Sequence, residues 1–151
     1  TCALPILMAA EINRGRLDLA GYHDLLAVHD GEQRDPKSAI LAYNALAARF
    51  PQSAPILLGE SQLHLRLGDR AAAGADLERA LAAEPDMMDV QQAYGLYQLA
   101  GGRPDVARSW LERAYAARPW DAALALAMGQ VYRQLGEKFR PDLKGIARAA
   151  P

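Results

Sequence analysis

The spacing of apolar and polar residues predicts helices along the whole chain, and no alternating pattern typical of a strand competes with it. Prolines and glycines separate the apolar segments and mark where helices begin or end. We expect helices at Leu7–Arg14, Leu17–Asp30, Pro36–Phe50, Pro55–Leu67, Arg70–Glu84, Met88–Ala100, Pro104–Arg118, Ala122–Leu135 and Pro141–Ala149. The pattern therefore predicts an all-α fold of about nine helices.

The residues that interrupt these helices return at a fixed interval. Three prolines lie 34 residues apart, and three glycines share that spacing: Pro51, Pro85 and Pro119, and Gly68, Gly102 and Gly136. A common period of this length is typical of proteins built from repeated helix–turn–helix units. Each unit of such a protein buries its apolar face against its neighbours instead of in one centre.

Taking each proline as position 32 of a unit gives repeats at residues 54–87 and 88–121, a partial repeat at 122–151 and a degenerate one at 20–53. Corresponding positions then hold similar side chains. They are Ser61, Gly95 and Gly129 at position 8, His64, Gln98 and Tyr132 at position 11, and the small–bulky–small sets Ala73, Leu77, Ala80 and Ala107, Leu111, Ala114 at positions 20, 24 and 27. This pattern resembles the tetratricopeptide repeat (TPR) family over most of Lys37 to Gly136. The Ala-rich composition, with more arginine than lysine, suggests a bacterial source.

The resemblance implies a TPR-like, right-handed superhelical solenoid of antiparallel helix pairs, formed by residues 7–151 as one domain. The last repeat departs from the pattern because Pro141 and Gly145 take the small and the bulky positions of its second helix. We expect that helix to form a polar C-terminal cap, which open-ended solenoids need for solubility. Residues 1–6 resemble a translated sequencing adaptor, so we expect a non-native segment there and a natural chain that extends upstream. The alternative is a natural helix start with Pro5 in its first turn.

The repeated residues have mechanical roles that do not depend on the family. A glycine after each first helix can adopt the left-handed conformation that closes the helix and reverses the chain. Alanines on one face of each second helix allow neighbouring helices to approach closely. Ser53 and Asp121 are placed to cap the first helices that follow them.

Composition excludes several classes of partner. The net charge is −1, with both signs interspersed, so we expect no nucleic acid and no anionic membrane surface as partner. The longest apolar stretches, such as 122–128, fall far short of the roughly 20 residues that span a bilayer. A single cysteine, Cys2, allows no internal disulfide and leaves bacterial cytoplasm and periplasm equally open.

The histidines are the main candidates for chemistry, and none predicts a catalytic or metal site. His23 and His29 are each followed by an aspartate, but six residues of helix rotate by about 240°, which puts them on different faces. His64 takes the position 11 slot between helices, where we expect a packed side chain. No catalytic or nucleotide-binding motif occurs, so we predict no cofactor and no catalytic residue.

The TPR resemblance implies a concave groove lined by the first helix of each unit. Its partner-binding residues would be Leu58, Gln62, Leu65, Arg66, Asp89, Gln92, Leu96, Leu99, Leu126, Gln130, Arg133 and Gln134. Leucines can accept apolar side chains of a peptide, and glutamines can bond its backbone. The alternative is that these leucines are partly buried between helices. The carboxylate clamp of chaperone-type members looks absent, because position 9 holds Gln62, Leu96 and Gln130.

These features favour a non-catalytic interaction module that binds a peptide or partner protein in the groove, with an unknown oligomeric state. A second hypothesis makes the chain the C-terminal TPR region of a larger enzyme, such as an envelope peptidase or transferase, with its catalytic domain upstream. A fold alone cannot decide between them.

Overall fold

The computed structural model describes residues 15–139, and every regular element within that range is a helix. The seven helices are α1 Leu19–Gly31, α2 Pro36–Arg49, α3 Ala54–Leu67, α4 Arg70–Ala83, α5 Met88–Ala100, α6 Pro104–Ala117 and α7 Ala122–Gln134. The all-α prediction is confirmed, and each of these helices begins and ends within two residues of its predicted bounds. The predicted helices Leu7–Arg14 and Pro141–Ala149, together with residues 1–6, lie outside the described residues.

The chain forms two compact units, the first ending at Pro85 and the second beginning at Asp86. In the first unit α1 packs against α2, α2 against α3, and α3 against α4. In the second unit α5 packs against α6, α6 against α7, and α5 also touches α7. None of the helices described between residues 15 and 139 has the length and apolar character needed to cross a bilayer.

An aspartate side chain caps the N-terminus of four of the seven described helices. Asp18, Asp35, Asp69 and Asp121 each accept hydrogen bonds from backbone N–H groups in the first turn of the helix that follows. These bonds satisfy donors that have no partner inside the helix. The predicted cap at Asp121 is therefore confirmed. Ser53 also stands at the start of its helix, but its side chain makes no capping bond and is buried instead.

Left-handed glycines end the first helix of each regular repeat. Gly68, Gly102 and Gly136 have φ angles of 84°, 71° and 72° and follow α3, α5 and α7. A residue with a Cβ would be strained in this conformation, which explains why the same residue type recurs at these turns. The turns at Gly68 and Gly102 bring α4 back along α3 and α6 back along α5.

Small residues then let the two helices of a pair meet. In the second unit Ala107, Leu111 and Ala114 of α6 are fully buried, and in the first unit the same holds for Ala73, Leu77 and Ala80 of α4. The predicted small and bulky positions are thus confirmed. In the second unit the two helices approach closely at Gly95, where a Cβ would lie only 2.7 Å from Leu111 Cγ. Leu111 therefore packs directly on the backbone of α5.

We predict that Gly95→Ala lowers the free energy of unfolding, measured by urea denaturation, by about 1–2 kcal/mol. The added methyl group collides with Leu111, and overpacking of this kind outweighs the roughly 1 kcal/mol that alanine gains over glycine in a helix.

Gly129→Ala is the matched control, because Gly129 holds the same repeat position in α7. Apart from its chain neighbours and the nearby backbone of its own helix, no atom of the described residues lies within 4 Å of a Cβ built there. It should raise stability by about 0.5–1 kcal/mol through helix propensity. Stabilisation by both substitutions would contradict this account, because it would show that the contact between Gly95 and Leu111 tolerates a side chain.

Candidate functional site

Four of the predicted groove residues lie on α3 in the first unit. Gln62, Leu65 and Arg66 are exposed, whereas Leu58 is half-buried. Leu65 keeps 40% of its surface accessible, which is high for a leucine on a packed helix. The exposed face of α3 thus combines an apolar side chain with a neutral amide and a cation.

Arg66 is held in place by Glu32, one repeat upstream. Its Nη1 donates to Glu32 Oε1 at 2.7 Å, and its Nη2 donates to the backbone carbonyl of Glu32 at 3.2 Å. Glu32 caps the end of α1 and also accepts a hydrogen bond from the Tyr43 hydroxyl at 3.3 Å. Burial, followed by the charge of Glu32, raises the pKa of Tyr43 above its ordinary value, so the hydroxyl remains a donor. The guanidinium therefore joins α3 to the end of α1.

The other eight predicted groove residues lie on α5 and α7 in the second unit. Leu96 is 39% exposed and Leu126 is 66% exposed, and both stand on the surface of contacting helices. Leu99 is only 6% exposed and packs in the core of this unit with Ala107 and Leu111. Leu99 is buried in this cluster of side chains from α5, α6 and α7, so it is not accessible to a partner and is removed from the binding surface.

Polar groups beside Leu96 are tied to the end of α6. Arg118 Nη2 donates to Gln92 Oε1 at 2.6 Å, and Arg118 Nη1 lies 3.0 Å from Asp89 Oδ1. On α7, Gln130 is half-buried while Arg133 and Gln134 are exposed. The leucines of the second unit are therefore flanked by amides and charges, some of which have fixed positions.

Exposed leucines follow a clear distribution over the regular repeats. Between residues 54 and 139, the large apolar side chains exposed on helices are Leu65, Leu67, Leu96 and Leu126. All four lie on first helices, and α4 and α6 expose none. The three first helices α3, α5 and α7 thus expose large apolar side chains, and the two second helices α4 and α6 do not.

A separate cluster of polar side chains is buried between α3 and α4. Glu60 is 2% exposed and Asp76 6% exposed, and His64 lies beside them. One carboxylate oxygen of each acid and one imidazole nitrogen lie within 4.8 Å of one another. His64 Nε2 is 3.8 Å from Asp76 Oδ2, while Arg79 Nη1 donates to Asp76 Oδ1 at 3.2 Å.

The electrostatics of this cluster are unusual for a helical interface. Glu60 Oε2 and Asp76 Oδ2 are both buried without a hydrogen-bond partner. Burial, and then the charge of Asp76, raises the pKa of Glu60 to about 7. Burial also raises the pKa of Asp76, against the opposing effects of His64 and Arg79. Glu60 therefore exchanges a proton near neutral pH.

A solved structure has a similar arrangement of helices. A tetratricopeptide repeat protein from Parabacteroides merdae ATCC 43184 matches the chain with a TM-score of 0.67 at 17% sequence identity. The fold is TPR-like. The match covers 89% of this chain and 53% of the other, so the chain spans about half the length of that protein. No protein-family model matches the sequence, and no curated protein matches it.

Sequence reasoning missed the buried cluster of this TPR-like chain. Charged residues on helices are mostly solvated, so the sequence pattern predicts no particular role for Glu60 and Asp76. One signal was present: Glu60 and His64 are four residues apart and so share a helix face with each other. The contact with Asp76 depends on how α3 and α4 pack together. The spacing of residues within α3 gives no information about that packing.

We predict that Glu60→Gln flattens the dependence of stability on pH in buffer containing a chelator. The folded chain holds the Glu60 proton more tightly than the unfolded chain, because its pKa is raised from 4.5 to about 7. This contribution is fully present below pH 4.5 and is lost as the pH rises through 7, by at most about 3 kcal/mol. Glutamine imitates the protonated acid at every pH.

The measurement is the urea unfolding free energy of both proteins between pH 5 and pH 8. The variant should become the more stable protein at pH 8. Glu78→Gln, an exposed change on α4, should keep the wild-type profile. Parallel profiles for the wild type and Glu60→Gln would contradict a raised pKa at Glu60.

Proposed function

We propose that the chain is a non-catalytic interaction module that binds a peptide or a partner protein along the exposed faces of its first helices. The distribution of exposed leucines is the observation that carries this proposal, because α3, α5 and α7 expose them and α4 and α6 do not. An apolar side chain left in water loses the free energy that burial against a partner would release. The TPR-like fold supports the same function, since such solenoids offer extended binding surfaces.

In the second unit two first helices, α5 and α7, present such faces. Leu96 and Leu126 lie on α5 and α7, which touch each other, and they can receive apolar side chains of a bound segment. Gln130 and Gln134 on α7 can donate to and accept from the backbone of an extended peptide. Arg133 adds a cation that favours a partner carrying an acidic group near this site.

The first unit presents a similar combination on α3. Leu65 and Leu67 are both exposed, and Gln62 is exposed one turn before Arg66. Because Glu32 already neutralises the charge of Arg66, the apolar groups and the glutamine supply most of the recognition here. Each unit thus has its own candidate contact surface on first helices.

We predict that Leu96→Ala and Leu126→Ala each weaken binding of a peptide selected on the immobilised chain from a random displayed library. Truncation of a well-packed contact usually raises Kd by about fivefold or more, whereas peripheral contacts change it little. Fluorescence anisotropy with the labelled peptide measures the effect, and circular dichroism checks that helical content is kept.

Leu41→Ala is the matched control, because Leu41 is 70% exposed on α2, a second helix, and the substitution removes the same atoms. It should leave the affinity unchanged. Loss of affinity in Leu41→Ala together with native affinity in both first-helix variants would place recognition on the second helices and contradict the proposal.

A further inference from the structure

Three potential metal ligands come together between α3 and α4 of the first unit. Glu60 and His64 are one turn apart on α3 and therefore face the same side, as paired ligands on zinc-binding helices do. Asp76 reaches them from α4. Among the described residues, this is the group of histidines and acids whose ligand atoms lie close enough to hold one ion.

We propose that Glu60, His64 and Asp76 bind a divalent transition-metal ion of the Zn²⁺ class. One imidazole and two carboxylates are donors that Zn²⁺ accepts readily, whereas Mg²⁺ and Ca²⁺ prefer oxygen ligands alone. Three protein ligands leave the fourth position of a tetrahedral ion to water or to a group from another molecule. The site is independent of the exposed leucines described above.

The fold does not require acids at these positions. One repeat later, the residues that correspond to Glu60 and Asp76 are Tyr94 and Trp110, whose rings form an edge-to-face pair with centroids 5.5 Å apart. The same two positions of the helix pair therefore accept an apolar contact. The acids of the first unit lack this ring contact, and they place carboxyl groups in the interior. Burial of a charged carboxylate is unfavourable unless a partner compensates for its charge.

Two buried oxygen atoms need such a partner. Glu60 Oε2 and Asp76 Oδ2 accept no hydrogen bond, and the second of them points to His64 Nε2 across 3.8 Å. A cation placed among the three side chains would satisfy both oxygens and remove the repulsion between the carboxylates. The imidazole would bind it through the nitrogen that now faces Asp76.

Small side-chain movements would complete the coordination. The ligand atoms lie within 4.8 Å of one another, while neighbouring ligands of a tetrahedral zinc ion are about 3.3 Å apart. We expect rotation of the two acids about their side-chain bonds to supply the difference. His64 is half-buried, so the site opens towards solvent on its side of the cluster.

Arg79 is the group that opposes metal binding. Its guanidinium pairs with Asp76 Oδ1, and about half of its side chain is exposed, so it can turn into water when an ion arrives. Removal of this cation should therefore tighten binding. Arg79→Gln is expected to lower the Kd for Zn²⁺ severalfold, an effect that a site elsewhere on the chain would not show.

The test is isothermal titration of ZnCl₂ into the untagged, chelator-treated chain at pH 7.5, carried out with Cys2→Ser so that no thiol competes for zinc. We expect one ion per chain and a rise in melting temperature of about 5 °C or more at a hundredfold excess over Kd. His64→Ala and Glu60→Gln should each weaken binding at least tenfold. Glu60→Gln should stay folded, because the amide imitates the protonated acid, and so separates loss of metal from loss of structure.

His23→Ala is the matched control, since His23 is exposed on α1 beside Asp24. It should bind zinc like the parent chain. Absence of binding to the parent, or native affinity in both Glu60→Gln and His64→Ala, would overturn the proposal. Equal competition by MgCl₂ would overturn the assignment to a transition metal.

Discussion

The close contact between the two helices of each pair is the constraint on which the rest of the structure depends. In the second unit the Leu111 side chain packs against the backbone at Gly95. Ala107 and Ala114, about one turn before and after Leu111 on α6, are completely buried. Close-packed interiors tolerate little change in volume, so these positions must stay small. The left-handed glycine after the first helix makes this contact possible because it reverses the chain within one short turn.

This packing divides the side chains between structural and functional roles. The second helices α4 and α6 direct alanines and leucines to the interior and expose no large apolar group, whereas α2 of the degenerate repeat exposes Leu41. First helices keep one face free, where the exposed leucines lie. The interface within a pair also has slots that the fold can fill in different ways, as the acids Glu60 and Asp76 and the rings of Tyr94 and Trp110 demonstrate.

The helices, their turns and the small positions could be predicted because they depend on residues close together in sequence and on a repeating period. The remaining features depend on contacts that a period does not describe. The repeat position of Leu99 predicted a groove residue, but its side chain is buried in the core of the second unit. Ser53 occupies its expected position without making the expected cap, and the ties from Arg66 and Arg118 join residues far apart in the chain.

The central claim is that first helices recognise partners while second helices hold the fold. Hydrogen–deuterium exchange of the chain with and without a bound peptide tests it directly, because amide protection reports local opening along each helix. The account predicts that the bound peptide slows amide exchange in first helices, either α5 and α7, or α3, or all three. Exchange in α4 and α6 should stay unchanged. Protection confined to α4 and α6 would contradict it.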